Sequence, residues 1–306
     1  MKRSFLNNLK KVEALACGSK IDRFVSSPIK YVPSIFYREI NYKISKKGRL
    51  KTCKTFFDAE ITVELPAGMD IYLTGGKSHS SEIRLAKYLI KNLESSNTFI
   101  DIGAHFGYFS LLASILIGQE GTVHSFEASP KTYSVLESIK SNHKNIRTYN
   151  EAVCDKIAKV VFHEFPPNYS EYNSLNAGQY KGEKWYHKNT PKETQVNSIV
   201  MDEFLTKNSV SPNIIKIDVE GAEYKVLLGM KNYLKVAAPE IVMEHLCENR
   251  FNEEHRKADK LLKQFGYIPY TIKFDGSIKR LHTTVDNYLK EVKLESDNIM
   301  YKKYAS

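Results

Sequence analysis

The sequence predicts an α/β protein with a doubly wound, mainly parallel sheet and helices on both faces. Short apolar runs alternate with amphipathic stretches from residue 98 onward, which is the pattern of consecutive β-α units. Residues 98–117 read as a strand, a glycine turn and a helix, the layout of a nucleotide-binding crevice. The chain has 306 residues, of which 42% are apolar and 26% charged, so it can form a sizeable core.

The same periodicity assigns the elements in chain order. Residues 58–73 are predicted to form two short strands around Pro66 and Gly68, and Ser80–Leu93 a helix. The predicted strands are 98–102, 122–126, 146–150, about 159–163, 213–218, 239–244, 267–273 and 298–303. The predicted helices between them are 108–117, 131–142, 223–234 and 253–265.

Composition divides the chain into three parts. Residues 1–57 form a basic helical or extended segment, residues 58–97 hold the short strands and a lead-in helix, and residues 98–306 form the main domain. Residues 164–198 interrupt the β-α alternation with a polar, aromatic insertion. It is long for a structureless loop, and we expect it to be a lid or a binding loop.

Positive charge is concentrated at the start of the chain. The net charge is +10, and residues 1–57 carry 14 Lys and Arg against three acids. Phe5, Leu9 and Val12 recur at helical spacing. The segment is therefore predicted either to lie on an anionic membrane surface or to be a docked helix with a solvated basic face. Nucleic acid is not expected, because no recognition motif accompanies the charge.

Targeting signals are weak. Four scattered cysteines form no C-x-x-C pair, which favours reduced thiols over a disulfide framework or a zinc site. No apolar run approaches the roughly 20 residues of a membrane span. Charged residues interrupt a faint leader-like pattern before Cys17. We expect a cytoplasmic protein, peripheral to the inner membrane if the basic segment binds lipid.

The glycine turn has the spacing Asp-x-Gly-x-x-x-Gly. Residues 98–107 read TFIDIGAHFG, which lacks both the G-x-G-x-x-G of dinucleotide folds and the G-K-[ST] of a P-loop. The pattern is typical of the first motif of methyltransferases that use S-adenosylmethionine. Gly103 permits a sharp turn, and the following helix start suits a carboxylate or phosphate. An incidental strand–turn–helix is the alternative.

An acid ends the next predicted strand. Glu127 lies roughly 20–25 residues beyond the glycine turn, where a carboxylate accepts hydrogen bonds from a ribose diol. Its two oxygens can take both hydroxyls. Glu127 is therefore a predicted ribose ligand, with a solvated loop acid as the alternative.

A second group of charged residues follows in IIKIDVEGAE at residues 214–223. Strand alternation predicts Lys216, Asp218 and Glu220 on one face, where charges are costly unless they pair or line a site. Asp218 or Glu220 is a candidate base for an acceptor hydroxyl, and Lys216 is a candidate for neutralising the alkoxide. A structural Lys216–Asp218 ion pair is the alternative.

Two polar residues end the neighbouring strand. Glu244 and His245 are candidates for the same acceptor site, or simple strand-end residues. Together with Asp218 and Glu220 they offer donors that suit Mg²⁺ or Mn²⁺. No ligand spacing requires an ion, so no metal site is predicted.

With these segments taken together, the chain resembles the FkbM-type S-adenosylmethionine-dependent methyltransferases over about residues 80–303. The matching segments are DIGAHFGYFS at 101–110, FEASP at 126–130, NEAV at 150–153, KIDVEGAE at 216–223 and EIVMEH at 240–245. The resemblance implies a class I methyltransferase fold, with a seven-stranded sheet containing one antiparallel strand. It also implies O-methylation, often of a sugar hydroxyl in a glycan or glycosylated metabolite.

The resemblance further implies a cofactor site. Its residues would be Glu82, Asp101, Gly103, Ala104, His105, Phe106, Gly107, Glu127, Ala128, Glu151, Ala152 and Asp218. Asp101 and the two glycines would hold the methionine end of S-adenosylmethionine, and Glu82 would approach its ammonium. Glu127 would bind the ribose, and Glu151 with Ala152 would flank the adenine. The chain departs from the family at Ala128-Ser129, where Pro-Asp or Pro-Asn is common.

The acceptor is left open between several classes. Tyr169, Tyr172, Trp185 and Tyr186 in the insertion either stack on the apolar face of a sugar or pack against the protein. The alternatives to a sugar are a metal-assisted methyltransferase of a small phenolic or polyketide-like acceptor, and an NAD(P)-binding oxidoreductase. His105 and Tyr108 in the glycine turn disfavour the last.

Overall fold

A computed structural model describes residues 1–250 and 252–304. The strands are β1 (Arg49–Lys54), β2 (Glu60–Leu65), β3 (Thr98–Ile102), β4 (Thr122–Phe126), β5 (Ile146–Tyr149), β6 (Ala152–Val153), β7 (Ala158–Glu164), β8 (Lys192–Ile199), β9 (Ile214–Ile217), β10 (Glu240–Leu246), β11 (Ile268–Ile272), β12 (Ile278–Arg280) and β13 (Ser296–Lys302). The helices are α1 (Lys2–Cys17), α2 (Lys20–Ser26), α3 (Pro28–Phe36), α4 (Tyr42–Ser45), α5 (Met69–Thr74), α6 (Ser80–Asn92), α7 (Tyr108–Ile117), α8 (Pro130–Leu136), α9 (Met201–Lys207), α10 (Glu223–Leu228), α11 (Lys231–Val236), α12 (Glu253–Gln264) and α13 (Val285–Val292).

Eight strands form the central sheet in the order β12-β11-β13-β10-β9-β3-β4-β5. Parallel pairing joins β10, β9, β3, β4 and β5, whereas β13 runs antiparallel between β10 and β11. The seven predicted strands with one antiparallel member are therefore present. The short β12 adds an eighth strand as an antiparallel edge hairpin with β11. The predicted α/β class with a mainly parallel sheet is confirmed.

Burial on both faces explains why the central strands read as apolar runs. All four residues of β9 and four of the five in β3 are buried, as expected for parallel strands covered on both sides by helices. The side chain of Ser129 caps α8 by accepting from the amide of Thr132, and Pro130 follows at the first helical position. Local sequence signals thus fix the start of this helix.

A separate three-stranded sheet has the order β6-β8-β7. The strand predicted near 159–163 is present as β7 and belongs to this smaller sheet. Its partner β8 comes from the end of the insertion, at residues 192–199. A period-two pattern marks a strand but carries no information about which strand lies beside it.

Two predictions around residues 49–74 also need correction. The second of the two strands predicted within 58–73 is the helix α5, because a run of six residues is too short for its period to separate helix from strand. The strand that pairs with β2 is instead β1, within the segment assigned as a basic lead-in.

Two predicted helices are shorter than expected. In place of the single helix predicted over 131–142, α8 ends at Leu136 and a 3₁₀ helix follows over Glu137–Ser141. The helix over 223–234 is interrupted between α10 and α11, at Gly229. A Cβ at Gly229 would lie 2.1 Å from the carbonyl oxygen of Cys154, so the chain needs this glycine for a close backbone approach.

The apolar face of α1 is buried against the main domain. Phe5, Leu9 and Val12 have at most 6% of their surface exposed. The carboxylate of Glu13 lies 2.7 Å from the Lys87 ammonium of α6. Of the two predicted arrangements, α1 is the docked helix with a solvated basic face, because docking buries the side chains that would enter a lipid surface.

A buried ion pair fastens the lead-in helix to the sheet. Arg84 of α6 donates two hydrogen bonds to Asp297 of β13, at 2.8 and 3.1 Å, and a third to the Ile272 carbonyl. This contact fixes α6 beside the carboxyl ends of the central strands. Within the described residues, no helix has the length and apolarity that crossing a membrane requires.

Candidate active site

A cavity of about 540 Å³ lies at the carboxyl ends of β3, β4, β9 and β10, where ligands bind in open α/β sheets. Among the described residues, nine carboxylate side chains line it, against one Lys and one Arg. The carboxylates are Asp70, Glu82, Glu127, Glu151, Glu171, Asp218, Glu220, Glu244 and Glu295. Such a lining attracts cations and disfavours anions.

Gly103 reaches the cavity wall in a left-handed conformation, with φ of +80°. A Cβ at this position would lie 1.8 Å from the carbonyl oxygen of Asp218. The close approach of the loop after β9 therefore requires a glycine at this position. The predicted reason, the close approach of a ligand, is secondary to this backbone contact. Gly103 holds the β3 and β9 loops together at the floor of the cavity.

Glu127 is held in place by two backbone amides. The amide of His105 donates to Oε2 and that of Ser129 to Oε1, both at 2.9 Å. Burial raises the pKa of Glu127 to about 7, against these two hydrogen bonds. Each carboxylate oxygen accepts more than one hydrogen bond, so Glu127 keeps capacity for a diol inside the cavity.

Lys216 is buried beneath the cavity and lies outside its lining. Its ammonium is 3.1 Å from Asp218 and 3.4 Å from Asp101. Burial opposes its charge, but these carboxylates raise the pKa of Lys216 above its ordinary value. The structure thus contains the Lys216–Asp218 ion pair that was the structural alternative for this residue. Asp101 also accepts from the Ser110 hydroxyl at 2.7 Å and lies behind the wall.

Strand alternation does not extend from Lys216 to Glu220. The strand β9 ends at Ile217, and Glu220 has a left-handed backbone with φ of +53°. The loop nevertheless brings Asp218 and Glu220 beside Glu244 of β10. One oxygen from each of the three carboxylates lies within 4.8 Å of the others.

The three carboxylates differ in their partners. Asp218 is paired with Lys216, and Glu220 accepts a hydrogen bond from the Tyr180 hydroxyl. Glu244 pairs with no cation in the described part of the chain. Burial, followed by the neighbouring Asp218 carboxylate, raises the pKa of Glu244 to about 8. Burial and the carboxylates of Glu244 and Asp218 also raise the pKa of Glu220 well above its ordinary value.

His245 points away from this site, so its expected place there is wrong. It is 1% exposed, and its Nε2 lies 3.3 Å from Asp286. Since successive side chains of a strand face opposite sides, Glu244 lines the cavity and His245 cannot. His245 instead packs beside His255 of α12.

Most other predicted cofactor residues line the cavity, and three do not. Glu82, His105, Ala128, Glu151 and Ala152 belong to the lining. Ala104, Phe106 and Gly107 lie outside it. Gly107 has φ of +83°, and a Cβ there would lie 2.6 Å from Leu136 of α8. Its conformation starts α7 and permits packing against α8.

The insertion borders the cavity and is fastened to the loop after β9. The Ser174 hydroxyl and the Gln179 amide each donate to the Glu220 carbonyl at 2.6 Å. The hydroxyl oxygen of Ser170 lies 3.1 Å from Nε2 of His105. Residues 170–173 and Leu175 contribute to the lining, so this insertion forms one wall of the site.

The aromatic residues of the insertion pack mainly on one another. Trp185 stacks on Tyr169 and Tyr172, with ring centroids 4.5 and 5.0 Å apart. Phe165 and Tyr180 complete this cluster. Only Tyr172 among the four predicted stacking residues lines the cavity. The other three pack against the protein, which was the predicted alternative to stacking on a sugar.

Several lining residues escaped sequence reasoning. They are Asp70, Lys77, His79, Glu171, Arg250, Glu295 and Asn298. They come from α5, from the loop before α6, from the insertion, and from the ends of β10 and β13, which lie outside the strand–turn–helix motifs. No local pattern distinguishes such residues from solvated ones, because only the tertiary fold brings them to the cavity.

The site fits S-adenosylmethionine in its chemistry. The glycine turn, the Glu127 carboxylate held by two amides, and a cavity lined by carboxylates suit a nucleoside that carries a sulfonium and an ammonium cation. Fold and site together define a class I S-adenosylmethionine-dependent methyltransferase.

Comparison with known proteins gives the family. Residues 101–269, more than half of the chain, match the methyltransferase FkbM domain, and the chain belongs to this family. Methyltransferase 1 of Beauveria bassiana (strain ARSEF 2860) is 25% identical over 193 residues, which cover 59% of this chain and 76% of that protein. The family assignment rules out the NAD(P)-binding oxidoreductase that was an alternative.

Solved structures with a similar fold include two methyltransferases. Methyltransferase FkbM from Methylobacillus flagellatus KT is 16% identical, with a TM-score of 0.40, over 68% of this chain and 43% of that chain. The O-methyltransferase TomG from Streptomyces achromogenes, involved in tomaymycin synthesis, is 9% identical, with a TM-score of 0.43, over 78% of this chain and 86% of that chain.

Proposed function

We propose that this enzyme O-methylates a sugar hydroxyl in a glycan or glycosylated metabolite. The proposal rests on the polar side chains in the cavity wall between β10, β13 and the insertion. Asn173, Glu244, Arg250 and Asn298 offer hydrogen-bonding groups there, beside the aromatic ring of Tyr172. Several donors and acceptors around an aromatic ring suit a polyhydroxylated acceptor.

The charge of the cavity narrows the acceptor class. Seven more acids than Lys and Arg residues line it, so a phosphorylated or carboxylated group close to the reacting hydroxyl is disfavoured. A neutral sugar or an amino sugar satisfies this condition. Sugar hydroxyls donate to carboxylates, which gives the acidic wall a binding role as well as a chemical one.

S-adenosylmethionine supplies the methyl group as an electrophile, so the protein has to align the acceptor oxygen and remove its proton. Glu244 is the proposed base. It lines the cavity without a cationic partner, and its pKa of about 8 lies close to neutral pH, as suits a proton acceptor. Asp218 and Glu220, each held by a partner, are proposed to orient the hydroxyl.

The cofactor would occupy the half of the cavity nearest β3 and β4. Glu127 would accept from the ribose, Glu151 and Ala152 would flank the adenine, and Glu82 would face the ammonium. Residues 164–198 are proposed to be the acceptor lid, which excludes water while the methyl group is transferred.

Methyl transfer to a panel of acceptors tests this function. The full chain is incubated with methyl-labelled S-adenosylmethionine and, separately, with a neutral oligosaccharide, an amino-sugar oligosaccharide and catechol. We expect label only in the sugars, and calorimetric binding of S-adenosylhomocysteine without any acceptor. Label in catechol alone would overturn the sugar assignment, whereas lack of S-adenosylhomocysteine binding would overturn the proposed cofactor site.

The triad of Asp218, Glu220 and Glu244 favours one second candidate. Three carboxylate oxygens within 4.8 Å are a donor set for Mg²⁺, and a metal-assisted methyltransferase of a phenolic acceptor would use such a site. In that case, activity on catechol should depend on added Mg²⁺ and be lost with a chelator. Sugar methylation that is insensitive to the chelator would exclude this candidate.

Residues 1–57 are also proposed to contact an anionic membrane surface. Their 14 Lys and Arg against three acids provide the electrostatic attraction. A lipid-linked glycan would then be an accessible acceptor. Because α1 has its apolar face buried, a different part of this segment has to provide the apolar contact.

A further inference from the structure

The segment after α1 exposes an unusual number of large apolar side chains. Half of the 16 such side chains in the described structure lie within residues 21–44, which is less than a tenth of the chain. They are Ile21, Phe24, Val25, Ile29, Val32, Phe36, Ile40 and Ile44. Single exposed apolar residues need no explanation, but such a concentration marks an interaction surface.

Five of them line up along one helix. The segment from Pro28 to Ser45 is helical throughout, because a π-helical turn at Tyr37–Asn41 joins α3 to α4 without a break in helical backbone angles. Positions 29, 32, 36, 40 and 44 are spaced by three or four residues, which places them on one face. We call this set, with exposure from 46% at Ile40 to 88% at Ile29, the apolar stripe.

The same helix is anchored to the rest of the protein by other side chains. Tyr37 and Tyr42 are buried, and the Tyr37 hydroxyl donates to the Lys47 carbonyl. The stripe is therefore not a core face left uncovered by a loose helix. It is a second apolar face on a helix whose first one is already packed.

The stripe lies in a strongly basic part of the sequence, whose Lys and Arg residues we call its basic margin. Residues 20–51 contain nine Lys and Arg against two acids, and both acids already have partners. Asp22 accepts from the Ser19 amide in a helix cap, and Glu39 pairs with Lys43. Ile44, near the end of the helix, lines an open surface cleft together with Lys47 and Arg49, which follow the helix.

An exposed apolar stripe with a basic margin is the composition of an interfacial helix. The stripe enters the headgroup region while Lys and Arg meet anionic lipids. A protein partner would have to be apolar and strongly acidic together, and a second copy of this chain would bring the same basic margin against its own. Charge complementarity therefore favours an anionic bilayer.

This surface is connected to the active site. The Tyr42 hydroxyl accepts a hydrogen bond from the amide of Asn168, at 3.0 Å. Asn168 begins the part of the insertion whose next residues, 170–173, line the cavity. Tyr42 lies on the packed face of the helix, opposite the stripe, so a membrane contact through the stripe would hold the insertion about 10 Å, one helix diameter, from the lipid surface.

We propose that the apolar stripe and its basic margin dock the enzyme on an anionic membrane surface, with the insertion on the opposite side of the same helix. The inference rests on the proposed membrane contact of residues 1–57 and names the surface that makes it. It does not depend on which acceptor is methylated.

Vesicle co-sedimentation of the full chain tests the proposal. The vesicles are phosphatidylcholine with and without phosphatidylglycerol, at low and high salt. We expect binding only to the anionic vesicles, and weaker binding at high salt. The variant Ile29→Ser/Ile44→Ser should bind at least about tenfold less, since it removes two of the most exposed stripe side chains.

A matched control removes exposed apolar side chains from other surfaces. Val236 and Ile157 are 86% and 61% exposed, so Val236→Ser/Ile157→Ser should bind vesicles as the unmodified chain does. The variant Lys47→Glu/Arg49→Glu should lose binding to anionic vesicles. All three should bind S-adenosylhomocysteine with unchanged affinity, which shows that they fold.

Three outcomes would overturn the proposal. If the unmodified chain binds neither kind of vesicle, the membrane contact itself fails. If the stripe variant binds like the control while the charge variant does not, the contact is purely electrostatic and the stripe has no part in it. If the stripe variant instead converts a dimer into a monomer on size exclusion and vesicles are not bound, the stripe is an interface between two copies. None of these results bears on sugar methylation, which the acceptor assay measures separately.

Discussion

The Lys77 ammonium lies 2.8 Å from the Glu171 carboxylate and 3.2 Å from that of Glu82. One largely buried cation thereby joins the insertion to the start of α6 across the cavity, which all three residues line. Burial opposes its charge, but the carboxylates raise the pKa of Lys77 well above its ordinary value. Lys77 thus ties the insertion to the loop before α6 at the edge of the cavity.

Lys77→Met should loosen the insertion. The variant leaves Glu171 and Glu82 facing each other without a cation, and like charges repel at this distance. We expect amide hydrogens of residues 167–188 to exchange at least about tenfold faster, because local opening becomes easier. Lys54→Met is the control, since its ion pair with Asp58 is exposed on both sides and should have little effect. Equal exchange in both variants would show that the insertion is held by other contacts.

Gly103→Ala should abolish cofactor binding. The new Cβ would meet the Asp218 carbonyl at 1.8 Å in a backbone conformation that alanine disfavours, so the β3 and β9 loops must separate. Gly118→Ala is the control, because Gly118 also has a positive φ but nothing lies within 4 Å of its Cβ position. Calorimetry should show at least about a hundredfold weaker S-adenosylhomocysteine binding for the first variant only. Comparable losses would mean that backbone strain, and not the loop contact, is responsible.

Glu244→Gln should remove the base and its pH dependence. With a pKa of about 8, Glu244 is protonated at low pH and cannot accept the proton, so kcat should rise with pH and level off above about 8. The variant should lose roughly a hundredfold or more in kcat and show no such rise, while binding S-adenosylhomocysteine normally.

Glu295→Gln is the matched control for this pH profile. Glu295 also lines the cavity, but its side chain is 82% exposed and pairs with Arg250. The rise in kcat up to about pH 8 should persist in this variant. If Glu244→Gln keeps the same profile too, Glu220 or Asp218 is the base.

Arg84→Met should destabilise the whole protein. It leaves the Asp297 carboxylate, which is fully buried, without its cation. Breaking a buried pair in this way costs about 3–5 kcal/mol in the free energy of unfolding, measurable by urea denaturation. Arg38→Met is the control, because its pair with Glu39 is exposed and is worth no more than about 1 kcal/mol. Similar midpoints for both variants would contradict a structural role for the Arg84–Asp297 pair.

The sequence by itself determined the parts of the fold that depend on neighbouring residues. Apolar runs located β3, β4, β9 and β10 to within a few residues, because a strand buried on both faces has to be apolar throughout. The glycine turn and Glu127 followed from their spacing along one β-α-β unit. These features are short in sequence and rigid in geometry, so pattern and position coincide.

Only the tertiary structure decided which distant segments meet. In the folded protein, β7 pairs within a second sheet and His245 contacts Asp286. The fold also pairs Lys216 with two carboxylates beneath the cavity and brings Lys77 to Glu171. Side-chain burial and ion pairing depend on which surfaces face each other after folding, and the local periodicity of the sequence does not specify those surfaces. For the same reason, the apolar face of α1 is buried, whereas the similar apolar stripe of the helix over Pro28–Ser45 is exposed.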